Sequence, residues 1–173
     1  MPKAIEKNKA TAVLAALAVF LSSLEYAIPK PLPFLRLGLA NVAILLGLLV
    51  LDFKHYLWLI LVKAIMQAVV SGTLFSYVFL LSAVGSFASG LLMYALAHLP
   101  RRPFSLVGIS VAGAFASNIS QLLLASLLFM GRGVIYVALP FLLGGVLSSA
   151  GLGWWANRFA LKSQWLQYNR LQE

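Results

Sequence analysis

The chain has 173 residues, of which 62% are hydrophobic and only 10% are charged, and its mean hydropathy is +0.95. Soluble domains hold about 45–50% apolar and about 25% charged residues, so these values indicate an integral membrane protein with no room for a separate soluble catalytic domain. The absence of cysteine excludes disulfides, thiolate metal sites and a cysteine nucleophile.

The positive charges mark the ends of apolar runs. The net charge is +9, but the basic residues flank apolar segments, which is typical of membrane orientation and not of nucleic-acid binding. Lys3, Lys7 and Lys9 precede the first apolar run, which continues to Ile28 without a small-x-small cleavage site. The pattern therefore predicts an uncleaved first span after a basic segment 1–9.

Six apolar segments approach the roughly 20 residues needed to cross a bilayer, so we expect an all-α integral membrane protein with six transmembrane helices. The second and third segments are short and joined by "LDFKH", which leaves open whether they are tilted or partly re-entrant. The transmembrane domain is predicted at 10–157, followed by a cytoplasmic or interfacial tail at 158–173. The predicted spans are 10–28, 36–52, 55–72, 76–98, 106–129 and 134–157.

The distribution of lysine and arginine predicts the orientation. With the N-terminus inside, nine of these residues fall on the cytoplasmic side and three in outer loops, while Lys63 lies within a span. Because cytoplasmic loops carry the excess of basic residues, the count favours cytoplasmic N- and C-termini.

Small residues recur at four-residue spacing on several helices. In lipid such stripes let helix backbones approach closely, because packing replaces the hydrophobic effect as the driving force. Packing within the bundle explains most of them. The stripe of Ala12 and Ala16 on the first helix has a second interpretation, as a docking face for another membrane subunit.

Polar side chains within the spans concentrate on one side of the membrane. Lys63 and Gln67 share a helix face, as do Asn118 and Gln121, and the predicted topology puts all of them at or above the midplane on the outer side. We therefore predict a polar cavity that is open to the outside and lined by helices one, two, three and five. The predicted substrate-binding residues are Glu25, Arg36, Asn41, Lys63, Gln67, Asn118 and Gln121.

Two interpretations of this set stay open. The amides and charges are compatible with a structural network that joins the helices. Arg36 and Lys63 outnumber Glu25, however, which leaves one cation suited to a carboxylate or phosphate of a ligand, while Glu25 holds the other in place.

Motifs for catalysis are absent from the sequence. There is no Gly-rich phosphate loop ending in GK[ST], no HExxH, and no aspartate-rich pair to hold Mg²⁺ on a diphosphate, since Asp52 is the only aspartate. Two histidines and four acids make a protein-built metal centre an unfavourable interpretation. We therefore expect a binding protein without catalytic residues, metal or cofactor, and without a nucleic-acid partner.

The stretch "LEYAIPKPLPFLRLGLANVAILLGL", followed by "GISVAGAFASNISQLLLA", resembles the Gx transporter family, also called heptaprenyl diphosphate synthase component I. The resemblance covers most of residues 12–155. Its most specific part runs from Leu24 and Glu25 to Asn41, and Asn118 with Gln121 matches the Asn-x-x-Gln pattern of the family. Ser117 stands where the family has histidine, and Lys63 stands where arginine is usual, which keeps the charge but loses the bidentate geometry.

The family is similar to the substrate-binding S components of energy-coupling-factor transporters. This resemblance implies an S-component-like bundle in the bacterial inner (cytoplasmic) membrane that captures a small anionic or amphipathic molecule from outside. It also implies docking through Ala12 and Ala16 to a membrane coupling subunit with paired ATPases. The alternative is a non-catalytic membrane component of prenyl diphosphate or quinone biosynthesis, and a purely structural subunit is a third possibility.

Overall fold

The computed structural model describes residues 2–27, 38–99 and 104–165. These ranges consist of helices joined by turns and short irregular segments and contain no strand, so the expected all-α class is confirmed. Helix α5 continues through a π-helical turn, Ser126–Met130, and a 3₁₀ turn, Gly131–Gly133. The helices are α1 (Pro2–Ala27), α2 (Asn41–Gly47), α3 (Phe53–Val70), α4 (Tyr77–Ala97), α5 (Leu106–Ala125) and α6 (Val134–Lys162).

The segment predicted as the second span, 36–52, differs most from expectation. From Gly38 onward it holds only the seven-residue α2, flanked by turns at 39–40 and 48–50. Seven helical residues rise about 10 Å, so α2 alone does not cross the roughly 30 Å hydrocarbon core. Six of the seven residues of α2 are buried, so the apolar character of this segment also reflects packing against the other helices.

Two helices extend beyond the predicted membrane spans. Helix α1 begins at Pro2, before the predicted span at 10–28, and α6 ends at Lys162, beyond the predicted span at 134–157. The hydropathy pattern ends where the charges begin, but a helix can continue beyond the apolar stretch because its backbone hydrogen bonds are internal. Lys162 in the last turn of α6 also interacts favourably with the helix dipole.

Contacts between side chains show that α1 and α3 run in the same direction. Lys7 Nζ lies 3.4 Å from Asp52 Oδ1, and His55 Nε2 lies 2.9 Å from Asn8 Oδ1. The beginnings of both helices are thus at one end of the bundle. The chain returns between them, because Leu39 N donates to Glu25 Oε2 (3.0 Å) near the end of α1. The segment containing α2 therefore runs antiparallel to α1 along most of its length.

Helices α4, α5 and α6 alternate in direction. Tyr56 of α3 donates to the carbonyl of Gly90 in α4 (3.1 Å), and Ser110 of α5 donates to the carbonyl of Ser149 in α6 (3.0 Å). We call the end at which α1, α3 and α5 begin the basic end, and the other end, near Glu25, the opposite end. The described basic residues at the basic end are Lys7, Lys9, Lys54, Arg158 and Lys162.

The surface of the bundle is apolar, whereas polar groups are buried. Phe20, Leu127 and Leu147 are 64%, 82% and 73% exposed, while Glu25 and Lys63 are among the buried residues. This is the reverse of a soluble protein and fits a lipid environment. By length and hydropathy, four helical stretches of the described chain can cross a membrane: Lys7–Ala27, Phe53–Val70, Tyr77–Ala97 and Leu106–Lys162, the last of which contains both α5 and α6.

A polar cluster joins α1 to the beginning of α3 at the basic end. His55 Nδ1 lies 2.6 Å from Asp52 Oδ1, and Lys7 contacts the same carboxylate oxygen. Burial raises the pKa of the Asp52 carboxyl, but the hydrogen bond and charge of His55 and the charge of Lys7 outweigh it, so the pKa lies below its usual value. The ionised carboxylate therefore stabilises the folded state.

Asp52→Asn is expected to lower the free energy of unfolding at neutral pH by less than about 1 kcal/mol, because the carboxylate is partly exposed and screened by solvent. The folded pKa is below the unfolded value of 3.8, so the stabilisation is present above 3.8 and is lost as pH falls through the folded pKa. Equilibrium unfolding of the native protein and of Asp52→Asn at about pH 7 and about pH 3 measures the difference in their free energies of unfolding, which is expected to shrink at the lower pH. A difference that grows on acidification would contradict the prediction.

Candidate functional site

One cavity in the interior of the bundle gathers most of the buried polar side chains. It has a volume of about 50 Å³, and all six α-helices contribute to its wall. We call it the polar cavity. Its polar lining residues are Glu25, Asn41, Lys63, Gln67, Ser82, Ser86, Ser110, Ser117, Asn118, Gln121, Ser148 and Ser149.

The structure brings together six of the seven residues predicted as a binding site. Glu25, Asn41, Lys63, Gln67, Asn118 and Gln121 all line the polar cavity. The seventh, Arg36, lies outside the described residues. Their convergence follows from the arrangement of the helices, and their role in ligand binding stays a prediction.

Lys63 is at the centre of the polar contacts. Its ammonium donates to Asn41 Oδ1 (3.0 Å) and to Ser86 Oγ (2.8 Å), and the residue is only 5% exposed. A charged ammonium in an apolar helix requires such polar partners, since isolated burial of a charge is very costly. Asn41 and Ser86 therefore fix the position of the charge, from α2 and α4 respectively.

The carboxylate of Glu25 is held where the chain enters α2. Glu25 is 2% exposed and accepts the backbone hydrogen bond from Leu39. Gly38 precedes this contact with φ = +79°, a left-handed conformation that favours glycine. The turn at Gly38 thus aligns an amide with Glu25 and leads into the helix that begins with Asn41. The further prediction that Glu25 holds a cation stays a prediction.

Helix α5 supplies two amides, which fit against glycines of the neighbouring helices. Asn118 Nδ2 donates to the carbonyl of Phe141 (3.1 Å) and would lie 2.0 Å from a Cβ placed on Gly145. Gln121 Nε2 donates to Ser117 Oγ (2.8 Å) on its own helix. A Cβ on Gly85 of α4 would lie 2.4 Å from the same nitrogen, so glycine is what allows this side chain to pack there.

The prediction that the cavity is lined by helices one, two, three and five was incomplete. Helix α4 contributes Ser82 and Ser86, and α6 contributes Ser148 and Ser149. Ser82, Ser86 and Ser149 belong to four-residue stripes of small residues that the sequence pattern attributes to helix packing, although serine combines small size with a hydroxyl. A serine hydroxyl in an apolar helix serves interhelical hydrogen bonds as well as a cavity wall, so the spacing alone does not separate the two.

The charge balance of the described lining is neutral, because Glu25 and Lys63 are the ionisable residues among the described residues that line the cavity. The excess cation that the sequence predicts therefore depends on Arg36. One acceptor is left over: Gln67 Oε1 is buried and has no hydrogen-bond partner among the described residues. Such an atom is costly unless a ligand or solvent donor meets it.

The polar cavity is small in this conformation. A volume of about 50 Å³ holds a few water molecules. Pockets for metabolite-sized ligands measure about 300–1,000 Å³, so the binding of an organic ligand requires rearrangement or a neighbouring space.

Ala12 and Ala16, the predicted docking residues, are both exposed on α1. The opposite face of the helix, with Ala10, Leu14 and Ala18, is buried against the bundle. The two alanines thus do not pack within the described part of the chain, and their role in docking a partner stays a prediction. In the same ranges, no group of three or more acidic, histidine or cysteine side chains is arranged to hold a metal.

Comparison with known families identifies the chain at the family level. The family described as heptaprenyl diphosphate synthase component I matches residues 14–159. The chain belongs to the heptaprenyl diphosphate synthase component I family. The matched region contains every predicted binding residue and Ala16, and it confirms the family suspected from the sequence. No curated protein and no solved structure matches the chain.

Membership of the family bears differently on the two functional predictions. The name of the family describes a component of a synthase, which agrees with the alternative of a non-catalytic membrane component and implies a partner component. The similarity to S components of energy-coupling-factor transporters, with a coupling subunit and ATPases, gains no support from it.

Proposed function

We propose that the chain is a non-catalytic membrane subunit of a prenyl diphosphate synthase system and that its polar cavity binds the anionic headgroup of an isoprenoid ligand. The observation that carries this proposal is the buried ammonium of Lys63, which Asn41 and Ser86 orient within a cavity lined by amides and hydroxyls. Phosphate oxygens are strong acceptors that suit an ammonium and amide donors.

The name of the family supports the choice of anion. A synthase component acts in a system that makes prenyl diphosphates. Each of these molecules has a charged diphosphate at one end of an apolar hydrocarbon chain. The chain itself has no aspartate-rich motif for a Mg²⁺–diphosphate complex, and its one aspartate, Asp52, is engaged with His55 and Lys7 at the basic end. Catalysis is therefore assigned to a partner, and binding or delivery of the isoprenoid to this chain.

The proposed setting is the bacterial inner membrane, with six crossings and both termini in the cytoplasm. The segment that contains α2 supports the second crossing, because it returns from Glu25 toward the beginning of α3. In this orientation the basic end faces the cytoplasm, where a soluble synthase subunit is accessible. The basic side chains at that end offer a surface for such a partner.

A second candidate is the uptake of a small anion by an S-component-like protein. The observation that favours it is the exposure of Ala12 and Ala16 on one face of α1, which is the face predicted to dock a coupling subunit. In that case the polar cavity would be open to the outside and the ligand would be water-soluble.

Identification of the bound molecule separates the candidates. The chain is purified from its native membrane in native lipid, and small molecules that travel with it are extracted and identified by mass spectrometry, with the same membranes lacking the chain as the control. We expect a prenyl diphosphate or prenyl phosphate in near-equimolar amount. A water-soluble anion would favour uptake, and bulk lipid alone would contradict both, leaving the polar residues as contacts between helices.

A further inference from the structure

A second cavity of about 400 Å³ lies between α4, α5 and α6 near the opposite end. We call it the apolar cavity. Unlike the polar cavity, it falls within the size range of known ligand sites. Its wall is almost entirely hydrophobic and includes Tyr77, Leu81, Leu122, Ala125, Phe129 and Phe141.

The two cavities adjoin at Gln121, which lines both of them. Its amide nitrogen points to Ser117 of the polar cavity. Phe141 lines the apolar cavity while its carbonyl accepts from Asn118 of the polar cavity. A side-chain amide and one stretch of backbone therefore separate a small polar space from a larger apolar one.

We infer that the apolar cavity holds the hydrocarbon chain of the same ligand whose headgroup lies in the polar cavity. This inference rests on the proposed function. A prenyl diphosphate has its charge at one end of an apolar chain, so it requires a polar and an apolar compartment in direct contact. The amide of Gln121 lies where the headgroup joins the chain, and movement of this side chain enlarges the small polar space toward the apolar one.

The rim of the apolar cavity indicates where a longer chain leaves it. The π-helical turn after α5 carries Phe129, whose ring contacts that of Tyr77 with centroids 5.3 Å apart. These residues are 54% and 63% exposed, so the contact between them is at the surface of the bundle. Single π-helical turns are frequent at functional sites. The first isoprenoid units fill the cavity, and the remainder passes this aromatic pair toward the lipid.

Two adjacent leucines of α5 provide matched variants for the test. Leu122 lines the apolar cavity, whereas Leu123 is 61% exposed on the outer surface of the same helix. Leu122→Trp fills part of the cavity, and Leu123→Trp makes the same chemical change outside it. Because both variants have the same lipid environment, partition of a probe into the membrane contributes equally to each.

The experiment measures binding of inorganic diphosphate, dimethylallyl diphosphate and geranyl diphosphate to each chain in lipid nanodiscs. In the native chain and in Leu123→Trp, we expect affinity to rise by at least about tenfold from the five-carbon to the ten-carbon probe, because burial of about two of the five added carbons already gives this factor. In Leu122→Trp this gain is expected to disappear, while the affinity for inorganic diphosphate is unchanged.

The outcomes separate this inference from the proposed function. If Leu122→Trp and Leu123→Trp showed the same rise in affinity from the five-carbon to the ten-carbon probe, the hydrocarbon part of the ligand would lie outside the apolar cavity, and the inference would be overturned. The inference would also be overturned if the native protein bound inorganic diphosphate but bound the ten-carbon probe no more tightly than the five-carbon probe. That result would leave the headgroup site in place. Failure of all three probes to bind the native chain would overturn the proposed function, and the inference with it. Loss of co-purifying phospholipid from Leu122→Trp, with an unchanged gain for the probes, would assign the cavity to a lipid acyl chain and contradict the inference.

Discussion

Lys63→Met is expected to weaken the binding of inorganic diphosphate by about 10- to 100-fold while the chain still folds. A hydrogen bond to a charged group contributes about 1.5–3 kcal/mol, which corresponds to this range of affinity. Methionine has a similar length but no charge, so it removes the donor without opening a large space. Titration of purified protein in nanodiscs with inorganic diphosphate measures the effect.

Folding of the variant is expected because replacement of a buried charge by an apolar side chain removes the cost of its desolvation. Against this, the acceptor atoms of Asn41 and Ser86 lose their donor, which costs about 1–3 kcal/mol for each buried group left unpaired. The free energy of unfolding of Lys63→Met is thus changed by two opposing effects. Its affinity for inorganic diphosphate is expected only to fall.

Lys54→Met is the matched control, since Lys54 is exposed at the beginning of α3 and does not line the cavity. Equal affinities of Lys63→Met and Lys54→Met would show that the buried ammonium does not contact the anion. The polar contacts of Lys63 would then serve only to join α2, α3 and α4.

Gly145→Ala is expected to destabilise the bundle by about 1–3 kcal/mol, the usual cost of overpacking a well-packed interior. The new Cβ would lie 2.0 Å from Asn118 Nδ2, so the amide has to move. That movement breaks its hydrogen bond to the carbonyl of Phe141 and leaves a polar group in the interior between α5 and α6.

Gly151→Ala on the same helix is the control, because a Cβ at this position meets nothing within 4 Å. Alanine favours a helix over glycine by up to about 1 kcal/mol, so this variant is expected to be as stable as the native chain or slightly more stable. Equilibrium unfolding in mixed detergent micelles compares the three chains. If Gly145→Ala were as stable as Gly151→Ala, Asn118 would have space to move without losing its hydrogen-bond partner. The close approach of Asn118 to Gly145 would then have no structural role.

The polar cavity illustrates what could be predicted from single residues. Lys63, Gln67, Asn118 and Gln121 stand out in the sequence because amides and charges are rare in apolar helices, and their spacing places each pair on one helix face. The serines of α4 and α6 did not stand out, because serine is compatible with both packing and hydrogen bonding. Only the packing of the helices in the folded bundle shows which face of each helix, and so which hydroxyls, line the cavity.

The second predicted span shows the limit of hydropathy in a protein of this kind. A lipid-facing helix and a segment buried among other helices are both apolar, so the run around α2 has the composition of a span. The difference depends on contacts with α1, α3, α4 and α6, which no local pattern contains. The same reason explains why the apolar cavity had no sequence signal: its lining residues are ordinary hydrophobic residues until three helices bring them together.

The sequence by itself determined the all-helical membrane class, the family, and the set of polar residues whose burial requires partners. These follow from composition and local spacing, because lipid tolerates few polar groups and makes each one conspicuous. Tertiary structure decided that six helices contribute to one small polar cavity, that Asn41 and Ser86 hold Lys63, and that a larger apolar cavity adjoins it at Gln121. These features depend on distances between residues far apart in the chain, which are set by how the helices pack.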